Sequence, residues 1–478
     1  MMDARASSAT AFNSLPIELN KAIAHGLESD KDIATYRLVC QATNNAIDAD
    51  NKSFWRARFR RSFVLQADKT NGELQKLYQR RSKLLRRGRG YTFFFGNDAH
   101  EQKVTEVLRD LIVDSFKEPP ERDEQGRLHC KNQERLREFI LNSRILIQDR
   151  RVPPASEEKC EWLDETLIAV KLMCAHFLFE FEGIKHQIFA FEESQRAVYK
   201  PSAQARIFRG GDMNYINFDW LGHCLDFFRH HMMSEEAYTL FENISELPAT
   251  QKPSAWRESL KLGARPLSRH WKGTYSFLDA PEIAQLRRLT PAEYSSHYFI
   301  DKNVDEGKIQ SLELEFVPKG KQMKWPQIFE DRLHSLDNSH EARKRPQGKG
   351  KARIRDRNGE NIQFVGTGED LEDDFNAIGW LNPLPAQKGI PGWQRITFMK
   401  HFMENFDEVE QDNLWAYEGI VLPGGRMILG RWWYASEQVD FNQDYNGPFI
   451  LWAVDPEPDS EASVDVDGES ADDAADEE

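Results

Sequence analysis

The amino-acid sequence predicts an α+β multidomain protein, in which a small helical unit and a mainly α-helical middle region precede a C-terminal antiparallel β-barrel. Up to about residue 260, apolar residues recur every three or four positions, which is the spacing of an amphipathic helix. From His270 onwards, apolar and polar residues alternate between Gly and Pro residues, as in strands joined by tight turns.

The N-terminal unit is predicted over residues 12–60, after a polar segment of residues 1–11 that is expected to be disordered. Pro16 suits the first turn of a helix. One face of that helix carries an apolar residue at every fourth position, namely Leu15, Leu19, Ile23 and Leu27. The apolar residues that follow include Ile33, Leu38, Val39 and Trp55. A unit of about 45 residues has too little interior to bury them all, so part of this face is expected to be an interface.

This region resembles the F-box, the module that docks onto the ubiquitin-ligase adaptor Skp1. The resemblance lies in Leu15-Pro16-Ile17-Glu18-Leu19, the apolar row, Arg37-Leu38-Val39-Cys40 and the later tryptophan. It implies binding to Skp1, and through it to a cullin, by Leu15, Pro16, Leu19, Ile23, Leu27, Ile33, Leu38, Val39 and Trp55. The alternative is an ordinary three-helix cap packed on its own domain.

The middle region, residues 61–265, is predicted to be a helical platform. Its clearest amphipathic segments are Val104–Phe116, Glu134–Leu146, Trp162–Phe181 and Phe218–Met233. A dense basic run, Gln79–Arg89, is interpreted as the solvated face of a helix that ends at Gly88. Nuclear import or nucleic-acid binding is the alternative interpretation of that run.

The C-terminal barrel is predicted over residues 266–454, with a flexible insertion near 331–358 that could also serve as a nuclear signal. Candidate strands are 271–277, 293–300, 309–317, 361–365, 374–380, 393–402, 414–422, 426–434 and 447–454. Closing these strands into a barrel would remove the exposed sheet edges.

The same half of the chain resembles a group of fungal F-box proteins and the lipocalin-like barrel of some animal substrate receptors. The shared residues include Trp271-x-Gly-x-Tyr on the first strand and Pro423-Gly424-Gly425-x-Met-Ile-x-Gly-Arg-Trp near the end. The lipocalin pattern implies a cation–π contact between Arg431 and Trp271 that closes one barrel end. An aromatic substrate site is predicted at Tyr275, Trp380, Trp415, Tyr417, Arg431 and Trp433.

The formal net charge of −15 is concentrated in the C-terminal tail. Residues 455–478 contain twelve Asp or Glu and no Lys or Arg, which leaves a net charge of −3 for the remaining chain. This tail is predicted to be disordered. Because the field of the remaining chain is weak, no nucleic-acid partner is expected.

Cysteine usage and hydropathy indicate the compartment. The five cysteines are scattered and form no Cys-x-x-Cys pair, which fits a reducing environment. No signal sequence opens the chain and no segment approaches eighteen consecutive apolar residues. The expected location is cytoplasmic, nuclear or both, with no membrane partner.

The sequence contains no motif for catalysis, so the protein is not expected to be an enzyme. Phosphate-binding loops, nucleophile elbows and His-Glu-x-x-His helices do not occur, and neither metal nor cofactor is predicted. The F-box resemblance implies a substrate-recognition subunit of an SCF-type (Skp1–cullin–F-box) ubiquitin ligase that presents a protein client. The alternatives are an F-box scaffold outside the ligase and a lipocalin-like carrier of a small apolar ligand.

Overall fold

The computed structural model describes residues 11–455 with gaps. The positions left out within this range are 116, 118–120, 123–127, 147–162, 180–190, 202–203, 205, 211–213, 255, 257–259, 261–262, 291–292, 294–296, 319–320, 322, 324, 334–360, 371–372, 406–407 and 436–444. The predicted acidic tail beyond Asp455, nearly all of the predicted disordered N terminus and most of the predicted flexible insertion therefore lie outside the described residues.

Most of the helices lie in the first half of the chain. Their bounds are α1 Ile17–Gly26, α2 Asp30–Arg37, α3 Gln41–Ser62, α4 Asn71–Gly88, α5 Ala99–Asp114, α6 Lys131–Leu141, α7 Glu165–Met173, α8 Phe191–Val198, α9 Phe218–Met233, α10 Thr239–Glu246, α11 Ala280–Arg288 and α12 Gln327–Arg332. Short 3₁₀ helices cover Ala175–Phe179, Glu235–Ala237 and Ala249–Gln251. Two-residue antiparallel hairpins join Glu121–Arg122 to Leu128–His129 and Phe208–Arg209 to Tyr215–Ile216.

Local chemistry fixes several helix ends. The Thr70 side chain accepts a hydrogen bond from the backbone N–H of Glu73, whose carboxylate accepts one from the Thr70 N–H, so α4 begins with a capping box. Asp98 caps α5 and Asn217 caps α9 without such a reciprocal bond: each side chain only accepts hydrogen bonding from backbone N–H groups in the first turn of its helix. The bounds of α9 agree with the predicted segment. Helix α3 is interrupted at 49–52, where three consecutive residues have positive φ angles.

Eight strands form the second half of the fold. Their bounds are β1 His270–Tyr275, β2 Gln310–Phe316, β3 Ile362–Asp370, β4 Asp373–Pro383, β5 Gln394–Asn405, β6 Glu408–Val421, β7 Met427–Tyr434 and β8 Asn446–Ala453. Each strand pairs antiparallel with the next one along the chain, and β8 pairs with β1, so the sheet closes into a barrel. The prediction of a C-terminal antiparallel β-barrel is confirmed.

One predicted strand is wrong. The described residues of segment 293–300 belong to no strand. They lead instead into the loop that carries Asp301 into the protein interior. Residues 331 and 332, predicted to begin the flexible insertion, end helix α12 because Arg332 is anchored to the backbone carbonyls of Gln411 and Ala435.

The barrel interior is filled with side chains. Its buried apolar residues include Trp271, Leu312, Leu314, Phe364, Phe375, Phe398, Tyr417, Ile428, Trp432, Phe449 and Leu451. The Tyr417 and Phe398 rings stack with centroids 4.6 Å apart and an interplanar angle of 9°. Gly430 makes room for this packing, because a Cβ there would lie 2.5 Å from the Phe449 ring and 2.3 Å from the Glu418 carbonyl oxygen.

Part of the outer surface of the barrel is buried as well. On one side, outward residues of β6–β8 share a hydrophobic core with the helices, and α9 packs directly on β7 and β8. Trp452 lies in this core and is 0% exposed, and its indole N–H donates to the Gln251 carbonyl. A smaller outer cluster places Phe329 of α12 beside Met399 and Trp433.

Gly430, which is tightly enclosed, and Gly72, which has open space around it, give opposite stability predictions. Gly430→Ala should lower the free energy of unfolding by roughly 1–3 kcal/mol, because the methyl group overpacks the strand pair. Gly72→Ala in α4, where nothing lies within 4 Å, should raise it by up to roughly 1 kcal/mol by removing backbone freedom. Urea unfolding followed by tryptophan fluorescence measures both. A Gly430→Ala protein as stable as the parent would contradict the close strand approach.

Candidate functional site

The first two helices and the turn that follows α2 carry large apolar side chains that the chain itself leaves uncovered. Five of these residues are named here the N-terminal apolar surface. They are Ile17 (40% exposed), Leu19 (51%), Ile23 (39%), Leu38 (86%) and Val39 (37%). A single exposed leucine is ordinary on a protein surface, whereas five large exposed apolar residues within 23 positions of the sequence are unusual.

The opposite face of α1 explains why these residues point outward. Asn20 and Ala24 are the buried residues of the helix. The Tyr36 hydroxyl donates to the backbone carbonyl and side-chain oxygen of Asn20 at 3.0 and 2.9 Å. Asn20 in turn donates to the Phe12 carbonyl at 3.1 Å. This polar anchor fixes the rotation of α1, so that Leu19 and Ile23 face solvent.

The residues predicted for adaptor docking fall into three groups. Five are exposed, namely Pro16, Leu19, Ile23, Leu38 and Val39, and two are half-buried, namely Leu15 and Leu27. Ile33 and Trp55 are only 3% and 5% exposed and belong to the chain's own core. The Trp55 indole also donates to Asp48 at 3.3 Å. In this conformation, a partner could contact the first seven residues but not these last two.

The predicted substrate-site residues do not lie together, because successive residues of a strand point to opposite sides of the barrel wall. Tyr275, Trp415 and Tyr417 pack with the interior cluster. The register places Trp380, Arg431 and Trp433 on the outer side, and Trp433 is buried in the cluster with α12. Tyr417 is only 3% exposed and Trp433 likewise. Half-buried Tyr275, Trp380 and Trp415 remain the accessible aromatic residues of this set.

The contact expected between Arg431 and Trp271 is not formed. Arg431 points away from the barrel interior, and its guanidinium lies over the ring of Trp220 in α9, 5.0 Å from the centroid. It also donates to the Val198 carbonyl at 3.3 Å. Trp271 points inward and donates to the Ser268 carbonyl at 2.7 Å. Arg431 therefore joins the barrel to the helices instead of closing the barrel end.

An interior ion pair was not anticipated from the sequence. Lys400 and Asp370 form a salt bridge inside the barrel, with side chains 6% and 9% exposed. The Lys400 ammonium lies 4.2 Å from the centroid of the Phe375 ring. Burial lowers the pKa of Lys400, although Asp370 opposes that shift. Burial also raises the pKa of Tyr275, which hydrogen-bonds to Asp370. Side chains of β5 alternate between the inside and the outside of the barrel. Lys400 points inward because it lies two and four positions after Phe398 and Ile396, which also face the interior.

A second buried polar cluster lies where the helices meet the barrel. His231 of α9 contacts Asp301 at 3.1 Å through Nε2 and Asp305 at 3.3 Å through Nδ1. The Tyr199 hydroxyl donates to Asp301 at 2.9 Å and lies 2.7 Å from the Ser276 hydroxyl. Burial alone would lower the pKa of His231, but its contacts with the two aspartate carboxylates outweigh burial and raise that pKa. Burial raises the pKa of Asp301 despite the His231 contact.

Within the described part of the chain, no group of three His, Cys, Asp or Glu residues could hold a metal ion. His223 contacts Ser194 at 3.2 Å. Burial raises the pKa of the Cys174 and Cys224 thiols, so these thiols stay protonated and are poor nucleophiles. No helix among the described residues has the length and apolar character needed to span a membrane.

Comparison with protein-family models, with curated proteins and with solved structures found no match for this chain.

The His231 cluster predicts a pH dependence of stability. The raised pKa means that folded His231 keeps its proton above pH 6.5, the pH near which the unfolded chain loses it. The free energy of unfolding should therefore decline from about pH 6.5 until the folded pKa is passed, by about 1.4 kcal/mol per unit of pKa difference. The raised pKa of Asp301 acts in the same direction at lower pH.

Urea unfolding between pH 6 and 9 measures this decline. His231→Gln should flatten the curve, whereas His297→Gln, at an exposed position, should leave its slope unchanged. Equal slopes in the parent protein and the His231→Gln variant would show that the cluster holds no extra proton in the folded state.

Proposed function

We propose that this protein is a substrate-recognition subunit of an SCF-type ubiquitin ligase and that it docks onto Skp1 through the N-terminal apolar surface. The observation that carries the proposal is the exposure of those five residues within the segment that resembles an F-box. Other apolar residues of that segment, including Ile33 and Trp55, are buried in the chain's own core.

The energetics favour a protein partner at this surface. Covering a leucine side chain contributes roughly 1.5–3 kcal/mol relative to leaving it in water. Leu38 is 86% exposed, so nearly all of that contribution is still available for binding. A few such side chains, buried at the centre of an interface and surrounded by polar residues, supply most of the affinity of protein complexes.

The proposed mechanism is proximity without bond chemistry by this chain. Docking at one end and holding a client at the other raises the local concentration of a client lysine near the charged E2 enzyme. The continuous core from the helices to the outer barrel wall supports such a role, because it makes a stiff spacer. The client is proposed to contact the barrel at Tyr275 and Trp415, which retain accessible surface and both pack against the Trp432 ring.

Replacing Leu19 and Leu38 together by Asp should weaken binding to purified Skp1 at least about a hundredfold, because each change removes apolar burial and adds a charge to desolvate. Surface plasmon resonance measures the affinity. The matched control is Phe94→Asp with Tyr298→Asp, which alters two side chains that are 60% and 83% exposed elsewhere. Unchanged Skp1 affinity in the Leu19/Leu38 variant, or an equal loss in the control, would refute the docking surface.

Affinity purification from cells followed by mass spectrometry tests the remainder of the proposal. The parent protein should recover Skp1, a cullin and at least one client, and the Leu19→Asp/Leu38→Asp variant should lose the first two while keeping the client. Recovery of Skp1 without a cullin would indicate a scaffold outside the ligase. Loss of the client from a Trp415→Ala variant with a normal melting temperature would locate client binding at the barrel.

A further inference from the structure

A charged cleft of about 420 Å³ lies where the first three helices meet α4 and α6. Its walls come from the α1–α2 connection, the end of α3, the second half of α4 and the middle of α6. Five cationic side chains line it, namely Lys31, Arg58, Arg86, Arg89 and Arg135. Two of these residues belong to the dense basic run that the sequence shows at 79–89.

The charges of the cleft are only partly neutralised. Three carboxylates, those of Glu28, Asp30 and Glu138, also line the cleft. Positive charges in the lining therefore exceed negative charges by two. Arg89 and Arg135 share the single carboxylate of Glu138. The Arg58 guanidinium binds the carbonyls of residues 27 and 28 and lies 3.5 Å from Asp30.

Lys31 and Arg86 make no ion pair or side-chain hydrogen bond with any residue that the structure describes. Both side chains are well exposed and both face the cleft. Two unpaired cations beside two arginines that share one carboxylate form a site for separate negative charges. An excess of two positive charges neutralises too few phosphates to hold a nucleic-acid backbone, whose affinity grows with the number of phosphates contacted, so the site suits a short acidic peptide better than a nucleic acid.

The cleft also has an apolar floor. Phe63, Leu85 and Phe139 line it below the charged rim, and Tyr78 lies beside them with its hydroxyl donating to Asp30 at 2.6 Å. A ligand that combines carboxylates with small or branched apolar side chains would contact both layers.

We propose that the cleft is occupied by this protein's own acidic C-terminal tail. Residues 456–478 contain eleven Asp or Glu and no Lys or Arg, so their charge is complementary to that of the cleft. Within this tail Val464 and Val466 alternate with Asp465 and Asp467. An extended backbone presents alternate side chains on opposite sides, so the valines could face the floor while the aspartates face the cationic rim.

The tail starts close enough to reach the cleft. Its first described residue, Asp455, is held by backbone hydrogen bonding to Thr250 and by the Gln251 side chain. Five residues later along the chain, the Trp256 carbonyl accepts a hydrogen bond from Gln133 of α6 at 2.8 Å. Gln133 lies little more than one helical turn from the cleft residues of the same helix.

These connections place the start of the tail within about 45 Å of the cleft, on chain-length limits alone. A tail of 23 residues spans up to about 76 Å when extended, so it reaches the cleft with length to spare. Because the tail is tethered, its effective concentration at the cleft is on the order of millimolar. The tail therefore competes with acidic segments of other proteins for this site. This inference does not depend on the proposed ligase function.

A zero-length carbodiimide cross-link tests the proposal on the intact chain. The reagent joins a lysine amine to a carboxylate only when the two are in contact, and Lys31 is the only lysine among the cleft residues. We expect amide links between Lys31 and carboxylates of residues 457–478, identified by mass spectrometry and independent of protein dilution. Raising the salt from 50 to 500 mM should lower the yield more than fivefold, because screening weakens the contact.

A charge-reversal pair on α4 provides the matched control. Arg86→Glu, inside the cleft, should lower the yield of Lys31–tail links at least fivefold. Arg87→Glu makes the same charge change at an exposed neighbour outside the cleft and should lower it less than twofold. Circular dichroism checks that both variants keep their fold. Three results would each overturn the proposal: no Lys31–tail link, tail links only to Lys344, Lys349 and Lys351, or an equal effect of the two substitutions.

Discussion

The structure depends on strands that are buried on both faces. All residues of β8 and all but the last of β7 are buried, whereas antiparallel strands of a small barrel commonly leave one face in water. Phe449 and Leu451 fill the barrel interior, while Ile450 and Trp452 belong to the core of the helical part. Neither face can be exposed without a large hydrophobic cost. The helices and the barrel are therefore held together by the same two strands.

Polar contacts determine how these apolar surfaces fit together. Apolar packing is weakly directional, whereas a buried hydrogen bond is costly to leave unmade. Arg431 reaches from β7 to the Trp220 ring and the Val198 carbonyl. Asp301 is contacted by His231 of α9 and by the Tyr199 hydroxyl, which also contacts Ser276 just beyond β1. These contacts fix the position of the helices on the barrel wall.

The N-terminal helices differ from the rest of the fold in how they use apolar residues. Elsewhere the described apolar side chains are mostly enclosed, whereas α1 and the end of α2 hold Leu19 and Leu38 in solvent. The cause is local: the Asn20–Tyr36 hydrogen bonds choose which face of α1 turns inward. The α1–α2 connection and the start of α2 also line the cationic cleft. The proposed surface for a partner protein and the proposed site for the protein's own tail therefore both draw on this one small unit.

The sequence by itself determined most of the elements and the barrel. Period-two alternation and glycine-rich turns identified eight of the strands, and the 3.6-residue period located α9 and most other helices, because both signals are local. It also predicted that a unit this small cannot bury all its apolar residues, and Leu19, Ile23, Leu38 and Val39 are indeed exposed. Only the tertiary structure decided that Ile33 and Trp55 are internal and that Arg431 pairs with Trp220 instead of Trp271. The Lys400–Asp370 pair and the His231–Asp301 cluster join residues 30 and 70 positions apart. No local pattern encodes such contacts, because they depend on which side of the barrel wall each side chain takes and on how the helices dock against it.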